Sequence, residues 1–141
     1  MSRPVMLSIR GRQAYRDQEP DEIELVTEGT MSYRDCGWDI SYEESELTGL
    51  AGVTTTFRVE RDRVILTRTG KLNSQMIFRE GERHDSLYQM EFGALMITVC
   101  AQRIIAMLDD NGGVIDLVYQ IEIEQSEAGT VDYHLQIVPK D

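Results

Sequence analysis

With 141 residues, a formal charge of −11 and 41% hydrophobic side chains, the chain can bury one core without disulfide or metal staples. Twenty-five acids against fourteen bases exclude a general nucleic-acid binder, which needs a basic face for phosphates. No apolar run approaches the roughly 18 residues of a membrane-crossing helix, and Ser8, Arg10 and Arg12 interrupt the segment where a secretory signal would lie, so a cytoplasmic protein without a membrane partner is expected.

In chain order, the dominant signal is alternation with a period of two, which puts successive side chains on opposite faces of a strand. Val5, Leu7 and Ile9 share the first inward face. Gln13 to Pro20 reads as a short helical turn. Ile23 to Tyr33 forms the second strand, with Leu25, Met31 and Tyr33 inward; Asp35-Cys36-Gly37 turns into a third, with Trp38, Ile40 and Tyr42 inward. Glu43 to Leu50 is a second short helical turn, and Val53, Thr55, Phe57 and Val59 line the next strand. Arg63 to Thr69, Gln75 to Glu80 and His84 to Glu91 follow, joined at Glu60–Arg63 and at the glycine turn around Gly81. Leu95 to Leu108 is too long for an ordinary strand, but its β-branched residues favour two strands or one bent strand over a helix. Asn111-Gly112 marks a hairpin before the run Ile115, Leu117, Tyr119, Ile121, and Glu127-Ala128-Gly129 is expected to precede the last strand, in which Val131, Tyr133, Leu135 and Ile137 alternate.

Some eight to ten strands with short connections and no covering helix describe an all-β antiparallel meander, a single domain over 1–141. Such a meander leaves two bare edges unless it closes into a barrel. A two-sheet sandwich satisfies the same pattern. Charge is unevenly placed: Asp17 to Glu46 carries Arg34 as its one base, whereas Arg58 to Arg83 holds seven of the fourteen bases, which fits a solvated outer face kept soluble by charge or, alternatively, strands that attract across a ladder.

The stretch Thr54 to Ile97 resembles the YwiB-like family of bacterial proteins. The residues that carry the likeness are Tyr42-Glu43, the Thr54–Thr56 strand, Arg68-Thr69-Gly70, Met76 to Phe78, the Gly81 turn, Tyr88, the Phe92-Gly93 corner, the Gly112-Gly113 hairpin and Tyr119. Met90 departs from it, where a threonine is expected. The resemblance implies a calycin-like β-barrel, related in shape to lipocalins. It brings no activity, ligand or catalytic residue, and a barrel alone cannot supply one.

Chemistry-bearing patterns are few. His84 and His134 are the two histidines, without Cys-x-x-Cys or His-Glu-x-x-His, so neither a metal nor another cofactor is indicated. Asp109-Asp110-Asn111-Gly112 is accounted for as a hairpin rather than a calcium loop. No Gly-x-Ser-x-Gly elbow is present, and Cys36 and Cys100 read as free, unactivated thiols, so no catalytic residue is named. The informative group is Arg68, which shares a face with Val64 and Leu66 and so points inward, where a charge needs a partner. Glu43 is the expected partner, and Tyr42, Tyr88, Tyr119 and Trp38 are the expected aromatic neighbours. These six residues are the candidate site for a small apolar or anionic ligand inside the barrel, against the alternative of a structural ion pair and aromatic rings that simply fill a packed core. The alternative is a non-enzymatic interaction module or homodimer using an outer strand face, with Met6, Val26, Met96 and Val118 gathered in one patch.

Overall fold

A computed structural model of the chain describes residues 2–15, 19–46 and 50–140. Among these residues the alternating segments form ten antiparallel strands: β1 (Ser2–Tyr15), β2 (Asp21–Arg34), β3 (Gly37–Glu43), β4 (Val53–Val59), β5 (Val64–Gly70), β6 (Ser74–Phe78), β7 (Arg83–Met90), β8 (Gly93–Asp109), β9 (Gly112–Ile123) and β10 (Ser126–Pro139). They make one sheet in the order β6-β5-β4-β3-β2-β1-β10-β9-β8-β7, which curls into a nearly closed barrel. One sheet rather than two settles barrel against sandwich. Every ladder joins sequence neighbours except one: β1 pairs with β10, from Val5↔Pro139 to Tyr15↔Gly129, so the two ends of the chain are zipped together.

The bare margins therefore fall in the middle of the chain, at β6 and β7. These strands follow one another but share no ladder. Among the described residues they meet through one antiparallel bridge, Asn73↔Gln89, in which each amide donates to the other's carbonyl at 2.8 Å. The intervening turn leans onto β8 instead: Glu80 bridges to Ala101, and the Gly81 amide donates to the Ala101 carbonyl at 2.9 Å. Gly81 has φ +79°, a left-handed conformation that a side chain disfavours.

β8 is one bent strand. A bulge between Ala101 and Arg103 shifts its register on β9 and switches its inward set from Ile97, Val99 and Ala101 to Ile104, Ala106 and Leu108. The Ile104 amide donates to Glu80 Oε1 at 3.0 Å, tying the β6–β7 turn to the bend. Val5, Leu7, Ile40, Phe57, Leu66, Phe78, Ile115, Leu117 and Leu135 are fully buried and fill the barrel's centre. Each contributes on the order of 1.5–3 kcal/mol of burial.

Four expectations are corrected. Gln13 to Tyr15 continue β1 rather than starting a helical turn, because they pair with both β10 and, at Gln13, β2; residues 16–18 lie outside the described set. In the second proposed turn Glu43 ends β3 and Glu46 sits in a 3-10 turn, with residues 47–49 outside the description. The last hairpin turns at Glu124 and Gln125, both left-handed (φ +52° and +69°), so Ser126 already begins β10; Gly129 marks a bulge. Tyr33 is exposed because β2 runs past the core there.

Across the outer face of β3 and β4, Asp39 stands opposite Arg58 and binds it at 3.1 Å, an attraction across the ladder between the acidic and basic segments. Arg34 joins Asp39 at 2.7 Å, and Glu60 links Arg58 to Arg63. No described helix is long and apolar enough to cross a membrane.

Candidate ligand site

Arg68 lies on β5 between Thr55 of β4 and Ser74 of β6, and its parity with Val64 and Leu66 carries it into the barrel, where it is 8% exposed. Its surroundings come from β3, β7, β9 and β10. The guanidinium donates to the Tyr133 hydroxyl, Tyr133 and Tyr42 share a hydrogen bond, and Tyr42 donates to Glu44. Glu44 Oε2 also accepts from Thr55 Oγ1 at 2.6 Å. Tyr133 and Tyr42 thus stand between the guanidinium and the carboxylate. The charges are thus joined through two tyrosines; the ion pairs formed among the described residues all lie elsewhere.

Burial pushes the Tyr42 hydroxyl far above the usual phenol range, helped by Tyr133 and Glu44, with Arg68 opposing. Burial raises Tyr133 as well, again against Arg68. For Arg68 burial is the largest influence and works against the charge, but Tyr133, Tyr88, Tyr119 and Glu44 outweigh it, so the guanidinium stays firmly protonated. The rings are held by packing: Tyr133 lies 5.9 Å from Phe57 and Tyr119 4.6 Å from Phe78, centroid to centroid.

Of the six expected site residues, the structure gathers Arg68, Tyr42, Tyr88 and Tyr119. Glu43 faces solvent, and Glu44 occupies the inward position instead. The alternation itself carries this correction: Trp38, Ile40 and Tyr42 point inward, so the next inward residue is 44. Trp38 sits at the other end of the barrel, four residues along β3 from Tyr42, roughly 13 Å at the usual strand rise. There it meets Tyr33 edge-on at 4.9 Å and borders an open cleft of about 600 Å³ with Val59, Val64, Ile104, Ala106 and Leu108. Tyr133, Thr55 and Ser74 join the site unexpectedly, although their inward parity was readable. Among the described residues no group of three or more His, Cys, Asp or Glu could hold a metal.

The family model described as a domain of unknown function, DUF1934, matches residues 7–137. The chain belongs to this family. The barrel of this DUF1934 protein is similar to the crystal structure of the ywiB protein from Bacillus subtilis, at a TM-score of 0.82 and 22% identity over 96% of this chain and 92% of that one. The comparison with curated proteins returns no match. The DUF1934 match and the shared barrel identify a fold, and the chemistry has to be read from the site.

The outer apolar residues separate. Met6 and Val26 lie on adjacent strands β1 and β2 near Val138. Met96 pairs with Leu87 on β8 and β7, and Val118 stands opposite Asp132 and Arg103.

Proposed function

We propose that this protein binds a small anionic molecule inside its barrel, with Arg68 as the charge that receives it and Tyr42, Tyr133, Tyr88 and Tyr119 orienting it. The observation that carries the reading is a charged guanidinium, 8% exposed, whose Nε has no hydrogen-bond partner. A buried donor left unmade costs about 1–3 kcal/mol, more when charged, so an acceptor from outside the chain has a ready place there. The reading places the protein in the cytoplasm, where its free Cys36 and Cys100 would stay reduced.

Native mass spectrometry of protein purified from its own host tests this. A bound small anion is expected on the wild type and absent from Arg68→Met. Because that change strands the buried Glu44, the double variant Arg68→Met/Glu44→Gln is the folded control. Ligand-free wild type, or an anion retained by the double variant, contradicts the proposal.

A second reading, self-association through the outer face, is favoured by one observation. Met6, Val26 (67% exposed), Val138, Val114 and Met107 (64% exposed) occupy five adjacent strands β2-β1-β10-β9-β8. A dimer in sedimentation equilibrium that Val26→Glu/Met107→Glu dissociates would support it; a monomer at high concentration removes it.

A further inference from the structure

The gap between β6 and β7 borders the Arg68 nest, and the polar atoms that lack partners concentrate there. Arg68 Nε on β5, Ser74 Oγ on β6, and Ser86 Oγ and His84 Nδ1 on β7 are all buried without a hydrogen bond. A fifth such atom, Arg79 Nε, belongs to the turn, where its guanidinium approaches Asp62 and Glu82. The Asn73↔Gln89 bridge, continued through both strands, sets Ser74 across from Tyr88, Met76 across from Ser86, and Phe78 across from His84. Thus β6 offers an apolar wall of Met76 and Phe78, while β7 faces it with hydrogen-bonding groups. Ser74 is 7% exposed, so these atoms are shielded from bulk water.

We infer that this seam is the slot for a small polyhydroxylated carboxylate: Arg68 and Ser74 take the carboxylate, Ser86 and His84 take hydroxyls, and Met76 and Phe78 cover the carbon skeleton. The inference rests on the interior-anion reading above and adds the ligand's class and its route of access. The charges set the class. Arg68 is the cation of the nest and Glu44 lies buried near it, so every negative charge on a ligand is partly uncompensated and a monoanion costs less than a dianion such as phosphate. A monoanion whose remaining groups are neutral hydroxyls matches one cation followed by serine and histidine. Ser86 stands two residues from Tyr88 along β7, roughly 7 Å, and His84 roughly 13 Å, so the molecule spans several carbons. Access needs only the Asn73–Gln89 clasp to loosen, because no ladder must be broken.

The unpartnered state of the serines yields a signature that a structural role would not give. Removing a buried hydroxyl with no partner leaves the free protein as stable or more stable, while a ligand that uses it is lost. Wild type, Ser74→Ala, Ser86→Ala and Arg68→Met/Glu44→Gln are melted with and without sodium gluconate, inorganic phosphate and sodium hexanoate at matched ionic strength. Gluconate alone is expected to raise the wild-type Tm. Each serine variant should melt no lower than wild type without gluconate and bind it about tenfold more weakly. Serine variants that bind gluconate like wild type, or that melt clearly lower without it, overturn the seam. Protection by phosphate or hexanoate equal to that by gluconate overturns the ligand class, as does no protection by gluconate. In each case a co-purifying anion that depends on Arg68 would leave the broader reading standing, and its absence would remove both.

Discussion

The two sides of the barrel differ in how they are closed. On one side β2, β1, β10, β9 and β8 run 12 to 17 residues each in long ladders broken by the bulges of β8 and β10, and Leu7, Ile9, Ile115, Leu117, Leu135 and Ile137 point inward. On the other, β5, β6 and β7 run 5 to 8 residues, end in an unladdered gap, and bring Arg68, Ser74, Ser86 and His84 to it. Long ladders over aliphatic side chains supply the stability that lets the short side carry unsatisfied polar groups. Strength and chemistry are divided by position around the barrel.

The largest expected effect tests that division by truncation. Leu135→Ala, on β10 between Ile9 and Ile115, should cost about 3–5 kcal/mol in urea unfolding, because neighbours laddered on both sides cannot collapse into the space. Met76→Ala, beside the gap, should cost about 2 kcal/mol, since a strand paired on one side can relax. Equal costs would erase the distinction.

A smaller effect sharpens it from the side of the nest. Tyr42 and Tyr133 both have folded-state values raised above the ordinary phenol pKa, with burial as the main cause. Their contribution is fully present below pH ~10, where both states keep the proton, and is lost as pH rises beyond it, where the unfolded chain releases protons that the folded one retains. Stability should fall by about 1.4 kcal/mol per pH unit for Tyr42, with a smaller share from Tyr133. Tyr42→Phe should remove the larger part of that slope between pH 10.5 and 11.5, and an unchanged slope would place the proton release elsewhere. The smallest effect lies outside the comparison: Asp39→Asn loosens the Arg34–Arg58 network and should cost about 1 kcal/mol at low salt and less at high salt, read from melts at two ionic strengths.

Most of the barrel was legible because alternation reports directly which face is buried; the inward sets of β1, β4, β5 and β9 follow from it residue by residue. It also placed Arg68. Glu43 is the expected partner where parity points to Glu44, and Tyr133, inward by parity on β10, escapes the expected site because contact between strands far apart in sequence depends on barrel closure. The gap was not legible. Side-chain pattern says which way residues face, not which backbone groups find partners, and β6 and β7 read like any other hairpin. The Glu124–Gln125 turn escaped for a related reason, because two residues without glycine adopt the left-handed conformation that glycine usually marks.

Hydrogen exchange followed by NMR tests the seam most directly. Amides of β6 and β7 that do not pair with β5 or β8 should exchange orders of magnitude faster than those joining β1 to β10, with the Asn73 and Gln89 amides alone retaining intermediate protection. Uniform protection across β6 and β7, equal to that of β1 and β10, would mean a fully closed wall and would contradict the account.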